Sequence, residues 1–219
     1  MKFNQITYHG YNESTSLCEL GLKYGADKSP LVAHGYTPFY NFLFSNLRYK
    51  DINFGEIGIY ENASMKMWRE YFPSANLYGW DCRIEDRLED LNRFYKKDYV
   101  QNAKQHNLKN TVYDYMNVSS EDSINNALEK TQIKFDVLVD DSDHQFWSQI
   151  KLLRNVYKFL KPGGIFIIED LTYNFVDILE EFKVYGHDQY YESITKIDLY
   201  DEHLKYKQSP YYMLMLIKK

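Results

Sequence analysis

Apolar and polar positions alternate in blocks along the chain, and from residue 52 the blocks become regular. INFGEIGIY (52–60) reads as a buried strand opening into a loop, SMKMWREYF (64–72) as a helix, and ANLYGWD (75–81) as a second strand ending in an acid. A helix over 84–96, a strand over TVYDYM (111–116) and a helix over SSEDSINNALEK (119–130) continue the pattern, the last with the Ser/Glu/Asp start of a capped helix. FDVLVD (135–140) leads into a helix over 145–160 with Phe146, Ile150, Leu153 and Leu160 on one side. The breaker KPGG (161–164) and the strand IFIIED (165–170) follow. After a helix around 174–183 come two last strands, SITKIDLY (193–200) and YYMLMLIK (211–218). Too few residues join them for a crossover helix, so they are expected to pair antiparallel as a hairpin-like edge.

This alternation predicts an α/β fold: a doubly wound, Rossmann-like, seven-stranded and mostly parallel sheet with an antiparallel C-terminal edge strand and right-handed crossovers. Residues 14–49 look mostly helical and lie outside the alternation. The chain is therefore expected to comprise a helical N-terminal cap (1–50) and an α/β domain (51–219), together one compact unit.

Composition narrows the function classes. A formal net charge of −5, with no basic cluster, argues against nucleic acid as a partner, because neutralising phosphates needs a concentrated basic surface. Cys18 and Cys82 are too few for a disulfide scaffold and lack metal-ligand spacing, and MKFNQITYHGYNES at the N-terminus has no apolar stretch resembling a signal peptide. A cytoplasmic location is expected. No apolar run approaches the roughly 20 residues that span a bilayer, so no membrane partner is expected either. The 22 tyrosines read as compositional bias alongside abundant Lys, Asn and Ile.

Two stretches carry candidate chemistry. In GEIGIYENAS (55–64) a strand opens into a helix whose first amides can face a ligand, and Asp81 ends the next strand, where an acid in such sheets accepts from ribose hydroxyls. Only Gly55 and Gly58 are present, and Asn62 stands where a glycine would be usual, a residue that tolerates positive φ better than most. Glu56 within the strand end favours a cofactor with a positive group over a pyrophosphate. An ordinary strand-to-helix turn accounts for the loop equally well.

The second stretch, VLVDDSDH (137–144), places Asp140 and Asp141 at one strand end, and IFIIEDL (165–171) places Glu169 and Asp170 at the next. A parallel crossover brings both ends to the same sheet edge, where these folds bind ligands. Four carboxylates so close need a compensating cation, and a hard divalent ion such as Mg²⁺ suits oxygen ligands. His144, at the start of the following helix, has the chemistry of a general base. Each residue also has a plain structural role open to it, as a helix cap or a solvated surface group.

The chain resembles class I S-adenosylmethionine-dependent methyltransferases, particularly the metal-dependent sugar O-methyltransferases of the macrocin and mycinamicin type. The resemblance rests on YGADKSPLVAHGYTPFY (24–40), GEIGIYENASMKMWREYFPSANLYGWD (55–81), VLVDDSDH (137–144) and LKPGGIFIIEDL (160–171). It implies S-adenosylmethionine and Mg²⁺ as cofactors. Glu56 and Gly58 would approach the methionine part with Ser64 at the helix start, and Asp81 would bind the ribose; Ile59, Asp140, His34 and Tyr36 complete the implied cofactor set. Asp141, Glu169 and Asp170 would hold the metal, with His144 and Asp141 as the catalytic pair, and Asp27 and Lys28 would join His34 and Tyr36 in closing over the site. The family's usual DDGSH is DDSDH here, with Ser142 and Asp143 in place of Gly and Ser, and its usual glycine near position 62 is Asn62.

The implied reaction is in-line transfer of a sulfonium methyl to a sugar hydroxyl, on a carbohydrate that is free, nucleotide-linked or part of a glycoside. The family often assembles through its N-terminal region, so a homo-oligomer is compatible with the aromatic-rich cap. Three alternatives stay open: a catechol-type phenolic acceptor, a non-catalytic binding protein on the same fold, and a nicotinamide-dependent reductase, which would need a pyrophosphate loop that GEIGIYENAS does not provide.

Overall fold

The computed structural model describes residues 1–9, 15–83, 97–171, 175–199 and 212–219. Its elements in chain order are β1 (Lys2–Tyr8), α1 (Ser16–Tyr24), α2 (Tyr36–Phe44), β2 (Asn53–Ile57), α3 (Ala63–Tyr71), β3 (Asn76–Asp81), α4 (Tyr99–Gln105), β4 (Thr111–Tyr115) and α5 (Glu121–Glu129). They continue as β5 (Phe135–Asp140), α6 (Phe146–Asn155), β6 (Leu160–Ile168), α7 (Phe175–Val184), β7 (Tyr191–Leu199) and β8 (Tyr212–Lys218). The helix expected over 84–96 lies outside the described residues.

The strands form one sheet in the order β1-β7-β8-β6-β5-β2-β3-β4. Every neighbouring pair is parallel except the two made by β8, so β8 alone runs against the rest. The chain winds outward from β2 through β3 to β4, then crosses back to β5 and winds the other way to β6. The switch in direction falls between β2 and β5, and the crevice at the C-terminal ends of strands beside such a switch is where these sheets bind ligands.

The described sheet has eight strands, one more than the alternation suggested. The added strand, β1, pairs parallel with β7 at the sheet edge and is exposed along almost its whole length. An edge strand with little buried surface has no reason to show a strand's hydrophobic pattern. The antiparallel strand β8 lies inside the sheet, between β6 and β7, and β1 takes the edge beyond them. The helix expected over 145–160 ends at Asn155; a short 3₁₀ turn covers Val156–Phe159, and Leu160 opens β6. KPGG therefore sits within β6, where the pairing with β5 shifts register between Phe135 and Val137. The glycines permit that irregularity without ending the strand. Helix α4 had no signal beyond Val100 and Ala103, and Asp98 caps it by accepting from the Gln101 amide at 2.9 Å.

Two apolar layers cover the sheet. On one face α2 contributes Tyr40 and Phe44, and α3 and its C-cap contribute Trp68 and Phe72, to a cluster around Phe54 of β2, with Leu17 of α1 in the same layer. On the other, Ile124, Ile150, Leu153 and Phe182 from α5, α6 and α7 pack on Leu138, Phe166 and Leu216. The α1–α2 segment is thus anchored by its aromatic side chains, and those same helices bring polar groups to the strand ends.

Candidate active site

The turn after β2 is built by backbone geometry. Gly58 has φ of 92° and its amide bonds to the Trp80 carbonyl at 2.8 Å; a Cβ added there would lie 2.0 Å from the Asp141 carbonyl oxygen. Only glycine lets the β2 and β5 loops approach so closely. Asn62 adopts the left-handed conformation, φ 69° and ψ 16°, at the position flanking α3. Its fully buried side chain accepts from the Tyr113 hydroxyl at 2.8 Å. The turn keeps its shape without a glycine because asparagine adopts that conformation at small cost and gains a partner from β4.

At the C-terminal ends of β5 and β6 the acids converge as the parallel crossover requires. Lys28, only 1 % exposed, reaches in from the loop between α1 and α2. Its ammonium bonds Oδ2 of Asp141, lies 2.6 Å from Oε2 of Glu169, and sits 3.2 Å from Oε1 of Glu56. Burial works against a charge on this lysine, but Asp141, Glu169 and Glu56 outweigh it and hold its pKa well above the usual lysine value. The other Glu169 oxygen accepts from the Tyr40 hydroxyl at 2.5 Å, so both oxygens of this fully enclosed carboxylate are engaged. Burial raises the pKa of Glu169, with Lys28 opposing.

Asp170 accepts from the Tyr36 hydroxyl through Oδ1, at 2.5 Å. Its Oδ2 lies 3.6 Å from Nε2 of His144, which in turn lies 3.2 Å from Oδ1 of Asp141. Asp141, His144 and Asp170 are the one group among the described residues whose donor atoms could enclose a metal ion, all within 4.8 Å of one another. His144 and Asp170 both hold positive φ, 56° and 48°, in the left-handed region that His and Asp enter more readily than most side-chain-bearing residues. The hydrogen bond to Asp141 raises the His144 pKa against the opposing effect of burial. Burial pushes Asp141 upward, but Lys28 and His144 bring it below the ordinary carboxylate value.

The remaining candidates are placed as follows. Ser64 donates to Oε2 of Glu56 at 2.7 Å, and both are buried beneath the turn. Asp81 accepts from the Tyr60 amide at 2.9 Å and the Cys82 amide at 2.8 Å, at the neighbouring strand end. Ile59 is buried against Gly79 in the core. Asp140 accepts from the Ser142 amide and hydroxyl through one oxygen; its other oxygen is buried without a hydrogen-bond partner, and burial raises its pKa to about 7. His34 stacks on Tyr36 with ring centroids 5.6 Å apart. Asp143 is used locally: it accepts from the Gln145 amide at 3.0 Å and the Ser148 hydroxyl at 2.7 Å, which ties down the start of α6.

Sequence reasoning assigned no role to Tyr40 and gave Lys28 only a general one. A weak signal existed for the tyrosine, since Tyr36 and Tyr40 are four apart on one helix and so share a face.

Sheet order and switch point together define the Rossmann-like methyltransferase fold. A solved methyltransferase from the mycinamycin biosynthetic pathway, MycE, in complex with Mg, SAH and mycinamycin VI, superposes with a TM-score of 0.66 at 16% identity, covering 94% of this chain and 55% of that one. A putative O-methyltransferase from Klebsiella pneumoniae gives a TM-score of 0.58 at 13% identity over 95% of this chain and 92% of that one.

In sequence, the chain is similar to curated sugar O-methyltransferases. It is 27% identical over 162 residues to the 8-demethyl-8-(2-methoxy-alpha-L-rhamnosyl)-tetracenomycin-C 3'-O-methyltransferase of Streptomyces olivaceus. It is 21% identical over 162 residues to the mycinamicin VI 2''-O-methyltransferase of Micromonospora griseorubida. Each match covers 71% of this chain and 36% of the relative, so the chain spans just over a third of the length of these relatives. No protein-family model matches the chain.

Proposed function

We propose that the protein is an S-adenosylmethionine-dependent, Mg²⁺-assisted O-methyltransferase acting on a hydroxyl of a carbohydrate, free, nucleotide-linked or part of a glycoside. The observation that carries this reading is the meeting of Asp141, His144 and Asp170 at the β5–β6 edge, next to the switch point of a methyltransferase fold. Its support from relatives is that several act on sugar hydroxyls and that MycE was solved with Mg and SAH.

The donor set fits a hard cation: two carboxylate oxygens face one another with an imidazole beside them. Asp141 and Asp170 would hold Mg²⁺ there, and the ion would lower the pKa of a bound sugar hydroxyl. His144 lies within reach of the same space and accepts the proton that the hydroxyl gives up. The turn from Gly58 to Ser64, with Glu56 beneath it and Asp81 at the adjoining strand end, forms the cofactor side; S-adenosylmethionine would supply the methyl group. Tyr36 and His34 close the site from the cap. The two departures from the family pattern do not weigh against catalysis, because Asn62 takes the glycine conformation and Asp143 is occupied at the start of α6. None of the helices among the described residues is long and apolar enough to cross a membrane.

The test is transfer of labelled methyl from S-adenosylmethionine to a panel of sugars and glycosides, with Mg²⁺ and with EDTA. His144→Ala is expected to abolish turnover while calorimetry still detects cofactor binding. Full activity in chelator would remove the metal from the mechanism. Cofactor binding without transfer to any carbohydrate, catechols then being methylated or not, would move the reading to a phenolic acceptor or to a non-catalytic binding protein.

A further inference from the structure

His144 faces the acids through one nitrogen. Its Nε2 lies 3.2 Å from Oδ1 of Asp141 and 3.6 Å from Oδ2 of Asp170, and the three atoms all fall within 4.8 Å of one another. Ligands of a four-coordinate zinc ion, bonded at about 2.0–2.1 Å, stand roughly 3.3–3.4 Å apart. Both nitrogen–oxygen separations therefore match the edges of a zinc coordination tetrahedron to within a few tenths of an ångström.

The surroundings hold the three donors in that orientation. Lys28 bonds Oδ2 of Asp141 and Tyr36 bonds Oδ1 of Asp170, so in each carboxylate the opposite oxygen is turned to the imidazole. Asp143, just before the histidine, is pinned by the Gln145 amide and the Ser148 hydroxyl. Such outer contacts orient metal ligands without being ligands themselves. Glu169 keeps a lone pair on each oxygen beside its bonds to Lys28 and Tyr40, so it remains available to an ion here, as the ligand set of the resembling family requires.

We propose that Nε2 of His144 is a ligand for divalent ions that favour nitrogen, Zn²⁺ above all, and that the site therefore has two exclusive states. Mg²⁺ is hard and keeps to oxygen, so with Mg²⁺ the imidazole stays uncoordinated and serves as the base. Zn²⁺ accepts imidazole readily and occupies the lone pair that would take the acceptor's proton. One nitrogen cannot do both. The zinc state is thus a bound but inactive form, and His144 sets which metals the enzyme can work with. This inference rests on the metal-assisted reading above.

Competition calorimetry with Zn²⁺ and Mg²⁺ at one fixed pH tests this without any turnover. The wild type is expected to bind Zn²⁺ at this site at least about a hundredfold more tightly than Mg²⁺. His144→Ala is expected to lose at least about thirtyfold in Zn²⁺ affinity while its Mg²⁺ affinity moves by less than about threefold. His144→Asn, whose side chain tolerates the left-handed backbone and offers no imidazole, should behave alike and still decides if the alanine variant fails to fold. X-ray absorption at the zinc edge should show the outer scattering of an imidazole in the wild type, lost in both variants. Zn²⁺ added to the Mg²⁺-loaded wild type should halt methyl transfer. Unchanged Zn²⁺ affinity in the variants, equal losses for the two ions, or full turnover in the zinc-loaded protein would overturn the proposal and leave the metal-assisted reading intact; a wild type that binds neither ion would overturn both.

Discussion

Replacing Asn62 by glycine would restore the residue usual at this turn in related enzymes, and the structure predicts that the reversion destabilises the protein. The side chain is completely buried, and its Oδ1 accepts the only hydrogen bond drawn from the Tyr113 hydroxyl, itself enclosed between the turn and β4. Glycine satisfies the backbone, so the left-handed conformation costs nothing. The cost is the orphaned hydroxyl, about 1–3 kcal/mol for a buried donor without an acceptor. Part of it is offset because the Nδ2 of Asn62, buried without a hydrogen-bond partner, is removed as well. A net loss of roughly 1–2 kcal/mol follows. Asn62→Ala adds the penalty of placing an alanine at φ 69°, about 1–2 kcal/mol more. Urea unfolding followed by circular dichroism should rank wild type above Asn62→Gly and Asn62→Gly above Asn62→Ala. The double variant with Tyr113→Phe should lose less than the sum of the single losses, because both partners of the bond are then gone. A glycine variant as stable as the wild type, or additive behaviour in the cycle, would refute the reasoning.

Gly58→Ala should be far more damaging, at least about 3 kcal/mol or no soluble protein, because its Cβ would collide with the Asp141 carbonyl at a positive φ; thermal melting of any soluble fraction checks this. Asp143→Ala should lower stability by about 1 kcal/mol while leaving Mn²⁺ affinity unaltered, and a collapse of metal binding would move Asp143 into the site. Asp140→Asn should raise the melting temperature of the metal-free protein more at pH 8 than at pH 5. The folded pKa of Asp140, raised by burial to about 7, exceeds its unfolded value, so the native state holds the extra proton and loses stability as pH rises from about 4 through 7. The full effect, reached above that range, is on the order of 4 kcal/mol, and a gain that does not grow with pH would contradict the assignment.

The strands that position the site were readable because a parallel sheet buried on both faces writes its strands as unbroken apolar runs, as in FDVLVD and IFII. Acids terminating two such runs on a parallel crossover could only converge, and Asp141 and Asp170 do. β1 was not readable, since an exposed edge strand needs no apolar face. Lys28 was hard to read for a different reason. Nothing local distinguishes a lysine bound for solvent from one destined to meet Glu56, Asp141 and Glu169, because its burial is decided by residues distant in the chain. Tyr40 shares that difficulty: its hydroxyl is drawn out of an aromatic core by a carboxylate arriving from β6. Asp143 was ambiguous until Ser148 was seen five residues on, a spacing outside the common capping patterns.

The strand order also dictates an assembly sequence. β1 reaches the sheet only through β7, and β7 only through β8, while Asn4 meets its side-chain partner Thr195 across 191 positions. The segment at the beginning of the chain therefore waits for the last strand to be seated, and loop closure over that span makes its docking a late folding event. A nascent chain lacking residues 212–219 can complete the β6-β5-β2-β3-β4 half, acids included, yet leaves β6 and β7 each with an edge open where β8 would pair. Chains stalled at that stage would be prone to associate through those strands.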